Sequence, residues 1–90
     1  MPHLREVLNA AIKELKALTG LELSGVTGAL SQPEGWLLQV ELVERRGVPD
    51  TMDVLGLYEV HTDAQGHVLA FERKGLRHRG DVDPYATDVS

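Results

Sequence analysis

The feature that most restricts the fold is a single amphipathic stretch at the start of the chain. Its apolar residues recur at steps of three and four, which places them on one face of an α-helix. Pro2 is tolerated near a helix start, and Gly20 can take the left-handed conformation that ends a helix. The spacing therefore predicts one helix from Leu4 to Thr19. Its apolar face consists of Leu4, Val7, Leu8, Ala11, Ile12, Leu15 and Leu18.

After Gly20 the apolar spacing changes to the alternation of β-strands, interrupted by turn residues. Strands are predicted over residues 26–32, 36–44, 54–62 and 67–74. The second of them places Trp36, Leu38, Val40 and Leu42 on one face. Short connections favour antiparallel pairing between successive strands. The expected fold class is α+β, with one N-terminal amphipathic helix packed on a four-stranded antiparallel meander sheet.

Composition limits the chain to one small domain without covalent crosslinks. Its 90 residues are 42% hydrophobic and 26% charged, which is typical of a globular protein. It contains no cysteine, so disulfides, thiolate catalysis and cysteine-bound zinc are excluded. We expect a single α+β domain over residues 1–79, followed by an acidic, flexible C-terminal tail over residues 80–90.

Charge and hydropathy also exclude several kinds of partner. Charged residues interrupt the N-terminal apolar positions, unlike those of a secretory signal, and no apolar run approaches the roughly 18 residues of a membrane span. A cytoplasmic protein without membrane contact is therefore predicted. The net charge of −5 argues against nucleic-acid binding, which depends on basic residues that neutralise phosphates.

Four of the nine basic residues lie close together near the end of the chain, in the segment RKGLRHR. One interpretation makes this segment a docking strip for an acidic or apolar partner. The other makes it an edge strand whose cations discourage pairing with another sheet. The candidate partner-binding residues are Arg45, Arg46, Arg73, Lys74, Arg77 and Arg79.

The sheet face opposite the helix is also expected to carry apolar residues. Leu37, Val43, Leu55 and Leu57 would remain uncovered unless the sheet curls strongly or something else covers them. A homodimer or a larger partner would provide such a cover.

The segment GVPDTMD between the second and third strands contains two acids that could be a metal site or a structural loop. Hard cations need six or more oxygen ligands, and no further carboxylate lies in this segment. Proline instead presets a turn, and aspartate in a turn accepts backbone N–H groups. We therefore interpret Pro49, Asp50 and Asp53 as a structural loop, and expect Asp53→Ala to cost stability on the scale of a capping residue.

No other pattern predicts chemistry. The histidines at positions 3, 61, 67 and 78 are too dispersed for a zinc signature. There is no GxSxG nucleophile motif and no phosphate-binding loop ending in GK[ST]. The sequence therefore predicts no catalytic, cofactor-binding or metal-binding residue, and no enzyme. The competing hypothesis, a metal-dependent enzyme built on Asp50, Asp53 and the histidines, would be tested by metal analysis.

Residues 35–74, GWLLQVELVERRGVPDTMDVLGLYEVHTDAQGHVLAFERK, combine several motifs in a fixed order. A Trp-led strand ending in VE is followed by PD and Thr, then YEV, then Asp with a glycine-containing turn, and finally an aromatic residue followed by Arg. In this order they resemble the core of the gas vesicle protein O family, and LTG and GVTG resemble the part ahead of that core. The matching residues are Trp36, Glu41, Glu44, Pro49, Asp50, Thr51, Asp53, Leu55, Tyr58, Glu59, Val60, Asp63, Gly66, Phe71 and Arg73.

The resemblance implies a non-enzymatic accessory protein of gas vesicle formation that uses no cofactor. It would act through contacts with other gas vesicle proteins, during assembly or its regulation, in the cytoplasm or associated with the vesicle. The partners implied are the AAA-type vesicle ATPase and the shell protein. One departure is Arg77, which lies near the place of a family tyrosine. The hairpin YEVHTDAQGHVLAFERK also resembles PepSY-like regulatory or inhibitor-type domains, which is the alternative function.

Overall fold

The computed structural model describes residues 3–80, which form one helix against one face of a four-stranded sheet. The elements are α1 (Leu4–Thr19), β1 (Glu22–Gln32), β2 (Gly35–Arg45), β3 (Val54–Asp63) and β4 (Val68–His78), with a short 3₁₀ helix at Asp50–Met52. The strand order is β1-β2-β3-β4, and every neighbouring pair is antiparallel. The predicted α+β meander is confirmed. Of the predicted acidic tail, residues 81–90 lie outside the described part of the chain.

Local contacts fix both ends of α1 where the sequence predicts them. The Glu6 carboxylate accepts a hydrogen bond from the backbone N–H of His3 at 3.0 Å. At the other end Gly20 has φ of 73°, and its N–H donates to the carbonyl of Lys16 at 2.8 Å. An L side chain would be strained in this conformation, so glycine ends the helix here. The predicted bounds of Leu4 and Thr19 are confirmed.

All four strands extend beyond their predicted ranges, and β1 and β4 do so by more than one residue at one end. β1 begins at Glu22, which pairs with Val43, although the segment that follows contains residues with low strand propensity. β4 continues to His78, so the basic segment lies within an edge strand except for Arg79, which follows it. In both cases pairing with the neighbouring strand outweighs weak local propensity.

The core lies between α1 and the central strands. Val7, Ala11 and Leu15 of the helix are fully buried and face the strands. Trp36 packs against this cluster from the edge, as its alternation with the other apolar residues of β2 predicts. Burial of this kind contributes about 25 cal/mol per Å² of apolar surface, which makes it the main source of stability in a chain without crosslinks. The buried sheet residues of the cluster are Leu38, Val40, Leu42 and Val60.

The β3–β4 hairpin is held against the helix at one end of the sheet. The Glu14 carboxylate accepts a hydrogen bond from the N–H of Val68 at 2.6 Å. Gly66 has φ of 94°, and a Cβ there would lie 2.6 Å from the carbonyl oxygen of Val7. The loop therefore needs glycine both for its conformation and for its close approach to the helix.

The face opposite the helix is covered at one end by the chain itself. Val43 and Leu55 are 7% and 0% exposed, although α1 lies on the other face. Asp53 precedes Leu55 by two residues and therefore points to the same side, where it binds the end of β4. Leu37 and Leu57 remain half-buried. Two of the four apolar residues that were expected to need a partner are thus covered within the chain.

Among residues 3–80, no helix combines the length and the apolarity needed to cross a membrane.

Candidate functional site

The two acids of the β2–β3 connection have different environments. Asp53 is 1% exposed; its Oδ1 accepts the N–H of Gly47 at 2.7 Å, and its Oδ2 lies 3.2 Å from both Nε and Nη2 of Arg79. Arg46 approaches the same oxygen at 3.6 Å. Asp50, by contrast, is exposed at the start of the 3₁₀ helix, directly after Pro49.

The arrangement around Asp53 has the geometry of a structural centre. The pKa of the Asp53 carboxyl is lowered by the Gly47 N–H, and burial opposes this while the two arginines add to it. The backbone of the loop is also fixed from β4, because Arg79 N–H donates to the Asp53 carbonyl at 2.8 Å. Within the described part of the chain, no group of three or more acids, histidines or cysteines could hold a metal ion.

The basic residues singled out in the sequence lie mostly beside carboxylates. Arg73 binds Glu44 with two hydrogen bonds of 2.8 and 3.1 Å. Arg77 binds Glu41 in the same way at 2.9 and 3.0 Å. The predicted docking strip is therefore largely neutralised by acids of β2, two strands away.

The remaining candidate partner-binding residues differ in how closely they are paired. Lys74 lies 3.3 Å from Glu72 and 3.9 Å from Glu59, which is too far from Glu59 for a hydrogen bond. Arg46 and Arg79 share Asp53, as described above, whereas Arg45 is exposed at the end of β2. Their role in binding a partner stays a prediction.

A hydrogen-bonded network on the helix side of the sheet links three strands. Glu44 of β2 accepts the Tyr58 hydroxyl of β3 at 2.6 Å and also binds Arg73 of β4. A Cβ at Gly56 would overlap the Glu44 carboxylate and lie 2.6 Å from the Tyr58 ring. Glycine is therefore required at this position so that the network can close.

The network should be visible in the titration of Tyr58. Burial, followed by the hydrogen bond to Glu44 and the charge of Glu44, raises the pKa of Tyr58 from 10.0 to about 12. In a Tyr85→Phe background, we expect the ultraviolet signal of phenolate to appear only near this pH, and Glu44→Gln to move it back toward 10.0.

The sign of the accompanying stability change follows from the same shift. Because folding raises the pKa of Tyr58, its contribution is complete below pH 10 and is lost as the pH rises toward 12. A phenolate signal near pH 10 in the folded protein would contradict the network.

The part of the opposite face that the β2–β3 connection leaves open forms a shallow groove, which we call the sheet groove. All four strands contribute to it. Its residues include Thr27, Gln39, Glu41, Leu57, Glu59 and Lys74. The sequence predicted an open apolar surface on this face, including Leu57, but not the polar residues that share the groove with it. The alternation pattern gives the two faces of a strand but not the neighbours of each side chain across the sheet.

Comparisons with known proteins are consistent with the sequence motifs. Residues 1–83 match the family model described as gas vesicle synthesis protein GvpO. The chain is 39% identical over 82 residues to gas vesicle protein O of Streptomyces sp. (strain CB03234), covering 91% of this chain and 64% of that protein. It is 43% identical over 61 residues to gas vesicle protein O1 of Halobacterium salinarum, covering 68% of this chain and 51% of that protein.

A third relative, gas vesicle protein O of Haloferax mediterranei, is 49% identical over 49 residues, which cover 54% of this chain and 35% of that protein. The chain thus spans less than two thirds of the length of these relatives. No solved structure matches it. The match to the family model covers nearly the whole chain, including all four strands, and this chain is therefore a member of the gas vesicle protein O family.

Proposed function

We propose that this chain is a non-enzymatic accessory protein of gas vesicle formation that acts by binding other gas vesicle proteins. The observation that carries the proposal is the family match over residues 1–83, together with relatives that are named gas vesicle protein O. Its location would be the cytoplasm or the vesicle surface. The AAA-type vesicle ATPase and the shell protein are the partners we propose to test first.

The structure supports a binding role, because ion pairs between charged residues hold strands together and leave two surfaces open to a partner. Glu41 and Glu44 of β2 form ion pairs with Arg77 and Arg73 of β4, and these pairs hold the strands together. The surfaces left for a partner are the sheet groove and the outer side of β4. On β4, Leu69 and Leu76 are 60% and 50% exposed.

Complementation tests this function. The gene for the endogenous protein O would be deleted in a vesicle-forming host, and either this chain or a chimera carrying it in place of the matching host segment would be supplied. We expect that at least the chimera will restore buoyant cells with visible vesicles. The chimera also serves as the control for regions of the relatives that this chain does not cover.

A pull-down from the complemented cells, run beside light scattering of the purified chain, identifies the mode of action. Recovery of the vesicle ATPase or shell protein supports the proposed role, and a chimera that restores no vesicles contradicts it. A stable homodimer that captures no vesicle protein would favour an independent regulatory domain.

A further inference from the structure

We propose that the sheet groove binds an amphipathic helix of a partner protein whose apolar face carries a lysine or arginine. The inference rests on the proposed function and assigns it a surface and a partner chemistry. It differs from the prediction from the sequence, in which the basic segment docks on an acidic or apolar partner.

The groove is open at two positions where side chains could have filled it. Gly25 of β1 and Gly75 of β4 both have backbone angles that other residues adopt, since neither has positive φ. A Cβ at Gly25 would meet nothing within 4 Å, and one at Gly75 would touch only Leu57 at 3.8 Å. Neither the backbone nor internal packing requires glycine at these positions. Both glycines lie beside a β-bulge. Within a strand, glycine marks a bulge or the close approach of another molecule, and the open space at these two positions leaves room for such an approach.

The negative charges along the groove are only partly compensated. In the ladder, Gln39, Glu59 and Glu72 are direct neighbours on β2, β3 and β4, so that two carboxylates lie opposite each other. Like charges in this position repel. Lys74 is shared between them, and its distance of 3.9 Å from Glu59 is too long for a hydrogen bond. The Glu59 side chain is 31% exposed. A cation from outside would therefore find a partly desolvated carboxylate that accepts no close donor from the described residues.

Apolar residues lie on either side of this polar row. Leu37 pairs with His61 on one side of the row, and Glu41 pairs with Leu57 on the other. Both leucines are half-buried, so they offer apolar surface to a partner. A ligand that fits presents an apolar residue, a cation and a second apolar residue at the spacing of one helix face.

The dimensions favour a helix as the ligand. Four strands spaced about 4.8 Å apart span roughly 14 Å between the outer two, and a helix with its side chains is about 10 to 12 Å wide. A helix would therefore lie on the central strands and pass between the side chains of the outer ones. It would also complete a layer on the side of the sheet that α1 leaves open.

The experiment uses the full chain, labelled with ¹⁵N, and synthetic peptides that tile the proteins of a gas vesicle gene set. Each basic peptide is made in its native form and with every Lys and Arg replaced by Gln. We expect at least one native peptide with a cation on its apolar face to bind and to shift the amide resonances of Gln39, Leu57 and Glu59. Its Gln form should bind about tenfold more weakly, as expected for loss of a close charge pair at an interface.

Variants of the protein separate the groove from other surfaces. Glu59→Gln removes the carboxylate and should weaken binding about tenfold. The midpoint of thermal unfolding should stay unchanged, because the same substitution removes the repulsion between Glu59 and Glu72. Gly75→Leu fills the groove and should block binding. Glu34→Gln is the matched control, since Glu34 is exposed in the β1–β2 turn, and it should bind like the wild type.

Three results would overturn the inference: no peptide binds, the Gln forms bind as well as the native forms, or Glu59→Gln and Gly75→Leu bind like Glu34→Gln. Complementation distinguishes this failure from failure of the proposed function. If the wild-type chimera restores vesicles and the Gly75→Leu chimera restores them equally, only the groove assignment is wrong. If the wild-type chimera restores none, the accessory function itself is wrong.

Discussion

Asp53→Ala is expected to lower the midpoint of thermal unfolding by roughly 10 to 20 °C. The change removes the partner of Arg79 and leaves that guanidinium, which is one third exposed, without the carboxylate that receives two of its N–H groups. Breaking a buried ion pair is among the costliest single substitutions, and each kcal/mol corresponds to several degrees in a domain of this size. This loss is larger than the capping scale expected from the sequence.

The same loop contains a matched control for this experiment. Asp50→Ala makes the same chemical change three residues earlier, at an exposed position, and should shift the midpoint by only a few degrees. The single tryptophan, Trp36, allows both variants to be followed by fluorescence. Equal midpoints for the two variants would show that the Asp53 contacts contribute nothing to stability.

Acid titration gives a second measurement of the Asp53 contribution. Folding lowers the pKa of Asp53, chiefly through the Gly47 N–H, so its contribution is present above the ordinary value of 3.8 and is lost as the pH falls through the lowered value. Wild-type stability should therefore decrease more steeply below pH 3.8 than that of Asp53→Asn. Parallel acid unfolding curves for the two proteins would contradict this assignment.

Gly35→Ala is expected to destabilise the chain by at least about 3 kcal/mol, at the upper end of overpacking costs. A Cβ at Gly35 would overlap the carbonyl oxygen of Thr62 and lie 2.6 Å from the carbonyl carbon of Asp63. These are backbone atoms of the neighbouring strand, so the clash can be relieved only by separating β2 from β3. Urea unfolding followed by circular dichroism measures the loss, because the adjacent Trp36 would respond to the substitution directly.

Gly25→Ala is the control for this prediction, since it makes the same change in an open position of another strand. It should be neutral or stabilise the protein by up to about 1 kcal/mol, because alanine restricts the unfolded chain more than glycine does. A Gly35→Ala variant as stable as Gly25→Ala would mean that the β2–β3 approach is looser than described.

Much of the fold is predictable because it depends on local periodicity. The bounds of α1 follow from the repeat of its apolar residues and from Gly20, and the buried face of β2 follows from simple alternation. The hairpin at Asp63 to Gly66 follows from turn chemistry. These features need no knowledge of which residues meet across the sheet.

The partners of individual side chains could not be predicted, because they depend on register. Glu41 and Glu44 are the acids that bind Arg77 and Arg73, and a shift of one residue would move each of them to the other face of the sheet. The sequence therefore indicates a segment of uncompensated positive charge, whereas in the structure most of its basic side chains are paired with carboxylates. Asp53 shows the same limit: its position after proline indicates a loop, whereas its burial depends on Arg79, which lies 26 residues later.

Two contacts between distant parts of the chain have a consequence for how the sheet opens. A meander of neighbouring pairs could peel from either edge, one strand at a time. Here Glu14 binds the start of β4 and Arg79 donates to Ser24 of β1 at 3.1 Å, across 54 and 55 residues of sequence. Fraying of either edge must break a contact made by the opposite end of the chain. The rates of amide hydrogen exchange in β1 and β4 should therefore change in the same direction under any condition, because the two strands open as one cooperative unit.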